Sequence, residues 1–228
     1  MIRAELKMKA KEQIKGNIGK FFGIYLVYML IVSVATAIIV APFLPGMIRY
    51  AIAEDVVRLV RVTIIFSSVI SLFAILIAPP FVVGWSRMFL RLTDGKSPKV
   101  ADLFAAFKYY WKTFCLYILV MFFTLLWSLL LIVPGIIKAI SYSQAFFILA
   151  ENPNMTAIEA LNESKKITNG RKKDLFVLGL SFFWWILLVG ITAGIAAIWV
   201  FPYICATFAN FYNAIKNKPA PVVEEIAE

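Results

Sequence analysis

Charged residues are missing from long stretches of this chain, and the gaps between them have the length of membrane helices. Apolar runs near or above the roughly 18 to 20 residues that cross a bilayer fill 21–44, 62–90, 114–133 and 175–200, and two shorter runs, 135–150 and 203–215, each follow a proline. Backbone polar groups find no partner in lipid, so segments of this kind are helices. The pattern predicts an all-α, polytopic transmembrane bundle of about six helices, at 18–45, 62–92, 113–133, 135–151, 174–200 and 202–216. These form one membrane domain, 1–216, followed by a cytoplasmic tail, 217–228, in which Pro219 and Pro221 precede three acids.

Between the apolar runs the period changes. Ile2, Leu6, Ala10 and Ile14 recur every four residues beneath a basic face, which reads as an interfacial helix over 1–17 lying on the inner leaflet. It is no signal peptide, because the stretch from Arg3 to Lys15 is charged throughout and no small-residue cleavage site follows the next apolar run. Val100, Leu103, Phe104 and Phe107 mark one helical face, with Asp102 in the first turn where the helix dipole favours it. Thr156-x-x-Glu159 has capping-box spacing, Ile158 and Leu161 supply an apolar side, and Gly170 is a plausible terminator. Both segments are expected to lie flat on the cytoplasmic surface, although partner-binding helices carry the same pattern.

A unit recurs about three times: a basic amphipathic segment, a long apolar helix, a proline turn and a shorter helix leading back. The turns are Pro79-Pro80, Pro134-Gly135 and Pro202-Tyr203, and the spacing from Pro79 to Pro98 equals that from Pro134 to Pro153. Three proline-turned hairpins follow. A break is expected at Pro79-Pro80, since proline removes a helical hydrogen bond.

Composition sharpens this picture. Hydrophobic residues make up 62% of the chain, which carries 23 Lys and Arg and a net charge of +10. With the N-terminus inside, every Lys and Arg except Arg49, Arg58, Arg61 and Lys138 falls on the cytoplasmic side, so the positive-inside rule puts both termini in the cytoplasm. The same distribution accounts for the basic balance without nucleic acid and provides attraction to anionic headgroups of the inner leaflet, at about 1 kcal/mol per basic residue near the surface. Cys115 and Cys205 fall near opposite membrane faces, too far apart for a disulfide. The chain has no His and no Cys cluster, hence no sign of a metal site or cofactor.

Polar groups inside the membrane are functional candidates. Acids are absent between Asp55 and Asp94, between Asp102 and Glu151, and between Asp174 and Glu224, which argues against a carrier with a midplane carboxylate. The short helices carry Arg87, Tyr142, Gln144 and Asn210 instead. Counted from their prolines, Arg87, Gln144 and Asn210 lie roughly 12 to 15 Å below the outer turn. Two readings stand: hydrogen-bonding glue between helices, each bond contributing about 0.6 kcal/mol, or a cavity for a lipid headgroup or amphipathic peptide. Trp184 and Trp185 are either core packing or a wall of that cavity. Gly190-x-x-x-Gly194 allows close approach of another helix, within the monomer or in a homodimer. No nucleophile has a base, no carboxylates pair in the membrane, and no phosphate loop occurs, so an enzyme is not expected.

The run Pro134-Gly135-Ile136-Ile137-Lys138, then Tyr142-Ser143, Asn152-Pro153, Ala157-Ile158, Ser164-Lys165 and Gly170, resembles a bacterial membrane-protein family known as domain of unknown function 975. The likeness continues through Ser181-Phe182, Trp185, Leu187-Leu188, Thr192-x-Gly194, Pro202-Tyr203 and Phe211-Tyr212. It is dense over the second half and rests on the basic N-terminal helix over the first. The resemblance implies a bacterial plasma membrane and a polytopic helical fold, and it lends no activity. The expected function is a non-enzymatic membrane protein that binds lipid or an amphipathic peptide and aids transport or resistance. The rival reading is a scaffold that gathers protein partners through its basic cytoplasmic helices.

Overall fold

The prolines that the sequence assigns to turns lie inside helices. In the computed structural model, which describes residues 3–217, twelve α-helices run in the order α1 (Arg3–Lys15), α2 (Ile18–Val40), α3 (Leu44–Ile52), α4 (Val56–Thr93), α5 (Val100–Phe104), α6 (Tyr110–Leu130), α7 (Ile132–Tyr142), α8 (Ala145–Glu151), α9 (Ala157–Thr168), α10 (Lys172–Leu180), α11 (Phe183–Ile191) and α12 (Ala197–Ile215). A 3₁₀ turn, Ala105–Tyr109, joins α5 to α6, and no strand occurs among the described residues. Ile2, Lys218 and the expected tail beyond Asn217 fall outside that range. Pro79 and Pro80 sit within α4, Pro134 in the first turn of α7 and Pro202 within α12. The reversals fall elsewhere, at Leu131 with extended backbone and at Thr192–Ala196, where Ala193 and Gly194 take positive φ of 48° and 91°. A first-turn proline removes an amide that has no helical partner anyway, so Pro134 costs α7 nothing. Both rings of the Pro79-Pro80 pair are buried, and α4 runs through them without the expected break.

Five stretches are long and apolar enough to cross a membrane: Ile18–Val40, Val56–Thr93, Val100–Leu130, Ile132–Glu151 and Lys172–Ile191. The sixth expected membrane helix, 202–216, falls in α12, which is not among them. Thr207, Asn210 and Asn213 dilute its hydropathy, and Ala206, Ala209, Phe211 and Ile215 are buried in protein. The expected helix at 174–200 is divided into α10, α11 and the start of α12.

By its contacts the chain divides into two units, Phe22–Ala78 and the remainder. Phe22–Ala78 comprises most of α2, α3 and the first part of α4. The Phe43 and Phe66 rings meet at 5.7 Å, and the Asp55 carboxylate caps α4 by accepting from the Arg58 amide at 3.0 Å. Of its residues only Ile24 is buried.

The other unit is built around α12. Trp85 and Phe89 of α4 meet Phe201 near the start of α12, while Asn213 near its end donates to Thr93 at 2.7 Å. The order of these contacts makes the second half of α4 run parallel to α12. The stack of Phe147 on Tyr212 and the ion pair of Glu151 with Lys216 give α8 the same direction. Helix α1 also lies along α12, with Leu6, Ala10 and Ile14 buried. Its apolar stripe is therefore spent on protein packing rather than on the leaflet. Lys7 donates to the Ser181 carbonyl at 3.3 Å and sits 4.4 Å from the Phe182 ring centre. Burial, with Lys11 and Arg3 close by, holds the Lys7 pKa below its ordinary value.

Two local expectations hold. Thr156 and Glu159 form the capping box of α9, with the Glu159 amide 3.3 Å from the Thr156 hydroxyl and the Thr156 amide 2.8 Å from the Glu159 carboxylate. Asp102 opens α5, where it is buried and accepts from the Lys99 amide at 3.2 Å. Helix α9 does not lie apart on a surface: Leu161 is buried, Ile158 is exposed, and Ser164 donates to the Ser141 carbonyl of α7 at 2.7 Å.

Candidate functional site

Three parallel helices, the second half of α4, α8 and α12, end close together, and each ends on polar residues. Arg87 and Arg91 stand one helical turn apart on α4, so they share a face. Asp94 and Lys96 follow the end of that helix, Glu151 closes α8, and Asn213 and Lys216 close α12. These residues line a cleft of about 470 Å³, completed by Leu90, Ala150 and Pro153.

The cleft is held from behind. The Arg91 guanidinium pairs at 2.9 Å with Asp102, whose side chain is only 4% exposed. Asp102 thus fixes Arg91 and caps α5 at once. Close approach of α4 to α5 makes this possible: a Cβ on Gly84 would stand 2.8 Å from the Leu103 Cα and collide with the Leu103 carbonyl oxygen. On the opposite wall the Glu151 carboxylate receives Lys216 on one oxygen and the Tyr212 hydroxyl, at 2.6 Å, on the other. Among the described residues, Arg87 and Lys96 have no ion-pair partner. Arg91 Nε and Asn213 Oδ1 are buried without a hydrogen bond. A lining with an excess of cations, a fixed guanidinium and an open donor suits a phosphate or carboxylate, which arginine binds in bidentate fashion.

The residues proposed from sequence are not gathered into one cavity. Arg87 lines the cleft. Asn210 is buried against α1, where its amide donates to Gln13 Oε1 at 2.7 Å. Gln144 occupies the turn between α7 and α8, fully buried, donating to Ser143 at 2.9 Å and leaving Oε1 unpaired. Tyr142 is buried beside Phe123, and Lys165 stands 5.7 Å from its ring. Trp184 is 74% exposed, and Trp185 meets the edge of Tyr203 at 5.7 Å. Equal distance from a proline does not mean equal depth, because the helices start at different points relative to their prolines. Gly190 and Gly194 do not form a helical contact motif within the chain: Gly194 lies in the turn after α11, and neither faces a neighbouring atom within 4 Å. The missed residues are Arg91, Asp94, Lys96, Glu151, Asn213 and Lys216. Their signal was the recurrence of charge at the end of each short helix, which a reading of topology absorbs into positive-inside counting.

The sequence model of a family described as protein of unknown function (DUF975) matches residues 1–141 and again residues 129–219. The chain belongs to the DUF975 family. The match extends the resemblance to the first half, where sequence reading found little to hold. No curated protein and no solved structure matches this DUF975 chain.

Proposed function

We propose that this DUF975 protein is a non-enzymatic, polytopic protein of a bacterial plasma membrane that holds the charged headgroup of an amphiphile, a membrane lipid foremost, in the cleft at the ends of α4, α8 and α12. The observation that carries this reading is the cleft itself, where Arg87, Arg91, Lys96 and Lys216 outnumber Asp94 and Glu151. Five stretches apolar enough to span a bilayer belong to the same chain, which makes a membrane lipid the amphiphile at hand. The basic residues around the cleft also draw it toward anionic headgroups at a membrane surface. Holding an amphiphile is the first step in moving it or in shielding the membrane from it, which links the site to transport or resistance.

The rival scaffold reading loses support at α1, since Leu6, Ala10 and Ile14 are buried within the chain rather than offered to a partner. Native mass spectrometry of the protein extracted with its lipids, wild type beside Arg87→Gln/Lys96→Gln, tests the proposal. A bound lipid mass in the wild type that falls roughly tenfold in occupancy in the variant, the loss expected for charge-assisted hydrogen bonds, supports it. Equal lipid retention by both proteins rejects the cleft as the site.

A further inference from the structure

A second cavity of about 450 Å³ shares a wall with the cleft. Glu151 and Lys216 line both, and the second is otherwise formed by Asn152, Glu163, Tyr212 and Asn217 with the apolar Ile148, Met155 and Ile167. The two differ in sign: cations prevail in the cleft, whereas Glu151 and Glu163 outnumber Lys216 in its neighbour. The partition between them is itself an ion pair, Glu151 with Lys216, tied to Tyr212.

We infer that the ligand is zwitterionic, a phosphate bearing a primary amine, with the phosphate among Arg87, Lys96 and Lys216 and the amine at Glu163 and Glu151. The inference rests on the headgroup reading above and deepens it. A ligand carrying both charges enters an internal ion pair without leaving either member uncompensated: its phosphate takes Lys216 as its amine takes Glu151. A purely anionic ligand would draw Lys216 away and leave the Glu151 carboxylate, with only the Tyr212 hydroxyl on one oxygen, beside the bound anion, and that like-charge contact turns into selectivity. Glu163 is the open acid of the pair. Its only ion pair among the described residues is a loose, exposed one to Lys166 at 3.6 Å, which costs little to give up. Asn152 and Asn217 offer side-chain carbonyls that accept from an ammonium.

The experiment loads the full-length protein into mixed vesicles of phosphatidylethanolamine and phosphatidylglycerol with the same acyl chains, then counts retained lipids by native mass spectrometry. Wild type should favour the aminophospholipid by roughly tenfold, the selectivity that one hydrogen bond to a charged group supports. Glu163→Gln, isosteric and at a half-exposed position, should bring the ratio near unity through loss of the aminophospholipid. Soluble O-phosphoethanolamine should compete, and the concentration it needs distinguishes a lipid ligand from a free headgroup. Retention of both lipids in equal amounts, unchanged by Glu163→Gln, overturns the zwitterionic inference and leaves the headgroup site standing. Retention of neither lipid removes the headgroup site and the inference with it.

Discussion

Residues 22–78 and the rest of the chain are both rich in apolar side chains, and they use them in opposite ways. In the first region Leu30, Ile38 and Leu72 are each more than 60% exposed and almost nothing is buried. In the second, Phe89, Leu116, Leu149 and Phe211 are at most 1% exposed. An exposed apolar surface of that extent has no stable place in water, so the first region is suited to lipid on nearly every face, whereas the second joins apolar stretches of the same kind to a packed core. Hydropathy alone does not separate the two. The second region is marked instead by polar residues buried among apolar ones, among them Asp102, Thr113, Gln144, Ser164, Thr168, Thr207 and Asn210. Asp102, Ser164 and Asn210 are satisfied by other elements of the chain, at Arg91, the Ser141 carbonyl and Gln13, and those pairings tie the core together.

The contrast is sharpest in a pair of truncations. Leu149→Ala should cost about 3 kcal/mol, since it opens a cavity where no atom is exposed. Leu72→Ala, in the other region, should stay within about 0.5 kcal/mol, as substitutions at exposed positions do. Chemical unfolding of both variants in lipid micelles measures the difference. Comparable losses would mean that 22–78 has a packed core of its own and would end the comparison. A smaller effect is expected at Gly84. Gly84→Ala places a methyl group against the backbone of α5, where neither helix can yield without moving Asp102, and overpacking of this kind costs about 2 kcal/mol. The same variant should weaken lipid retention, because Asp102 orients Arg91. Full stability in Gly84→Ala would show that α4 and α5 are free to separate.

What could be read in advance follows the same division. The apolar helices were legible because a bilayer demands length and apolarity that few other structures need. The starts of α5 and α9 were legible because a first-turn acid and a capping box are local arrangements of a few residues. The path of α12 was not, since Asn210 and Gln13 are brought together from opposite ends of the chain and no local pattern announces such a pair. Pro134 misled for a related reason: a proline in the first turn of a helix, as it is in α7, looks in sequence like the turn just before it. The cleft escaped notice because Arg91, Glu151 and Lys216 matter only through partners far away in sequence, Asp102, Tyr212 and one another.

The smallest effect concerns acid. The second region owns the capping box of α9, and the Thr156 amide and hydroxyl, by hydrogen bonding to Glu159, hold its carboxyl below the ordinary value of 4.5. A depressed carboxylate contributes stability that is fully present above its unfolded value and is lost as the pH falls through the folded one. The start of α9 should therefore loosen in mild acid, below about pH 4.5, before the apolar helices respond at all. Gln also serves in a capping box, so Glu159→Gln should keep the helix start while removing its titration. Amide-exchange protection over 157–160, corrected for the intrinsic effect of pH, reads this directly. Protection that falls with pH in the wild type and stays level in Glu159→Gln assigns the acid response to this carboxyl; parallel loss in both would move it to another group, and the second region would then answer to acid through its buried polar core rather than through a cap on its surface.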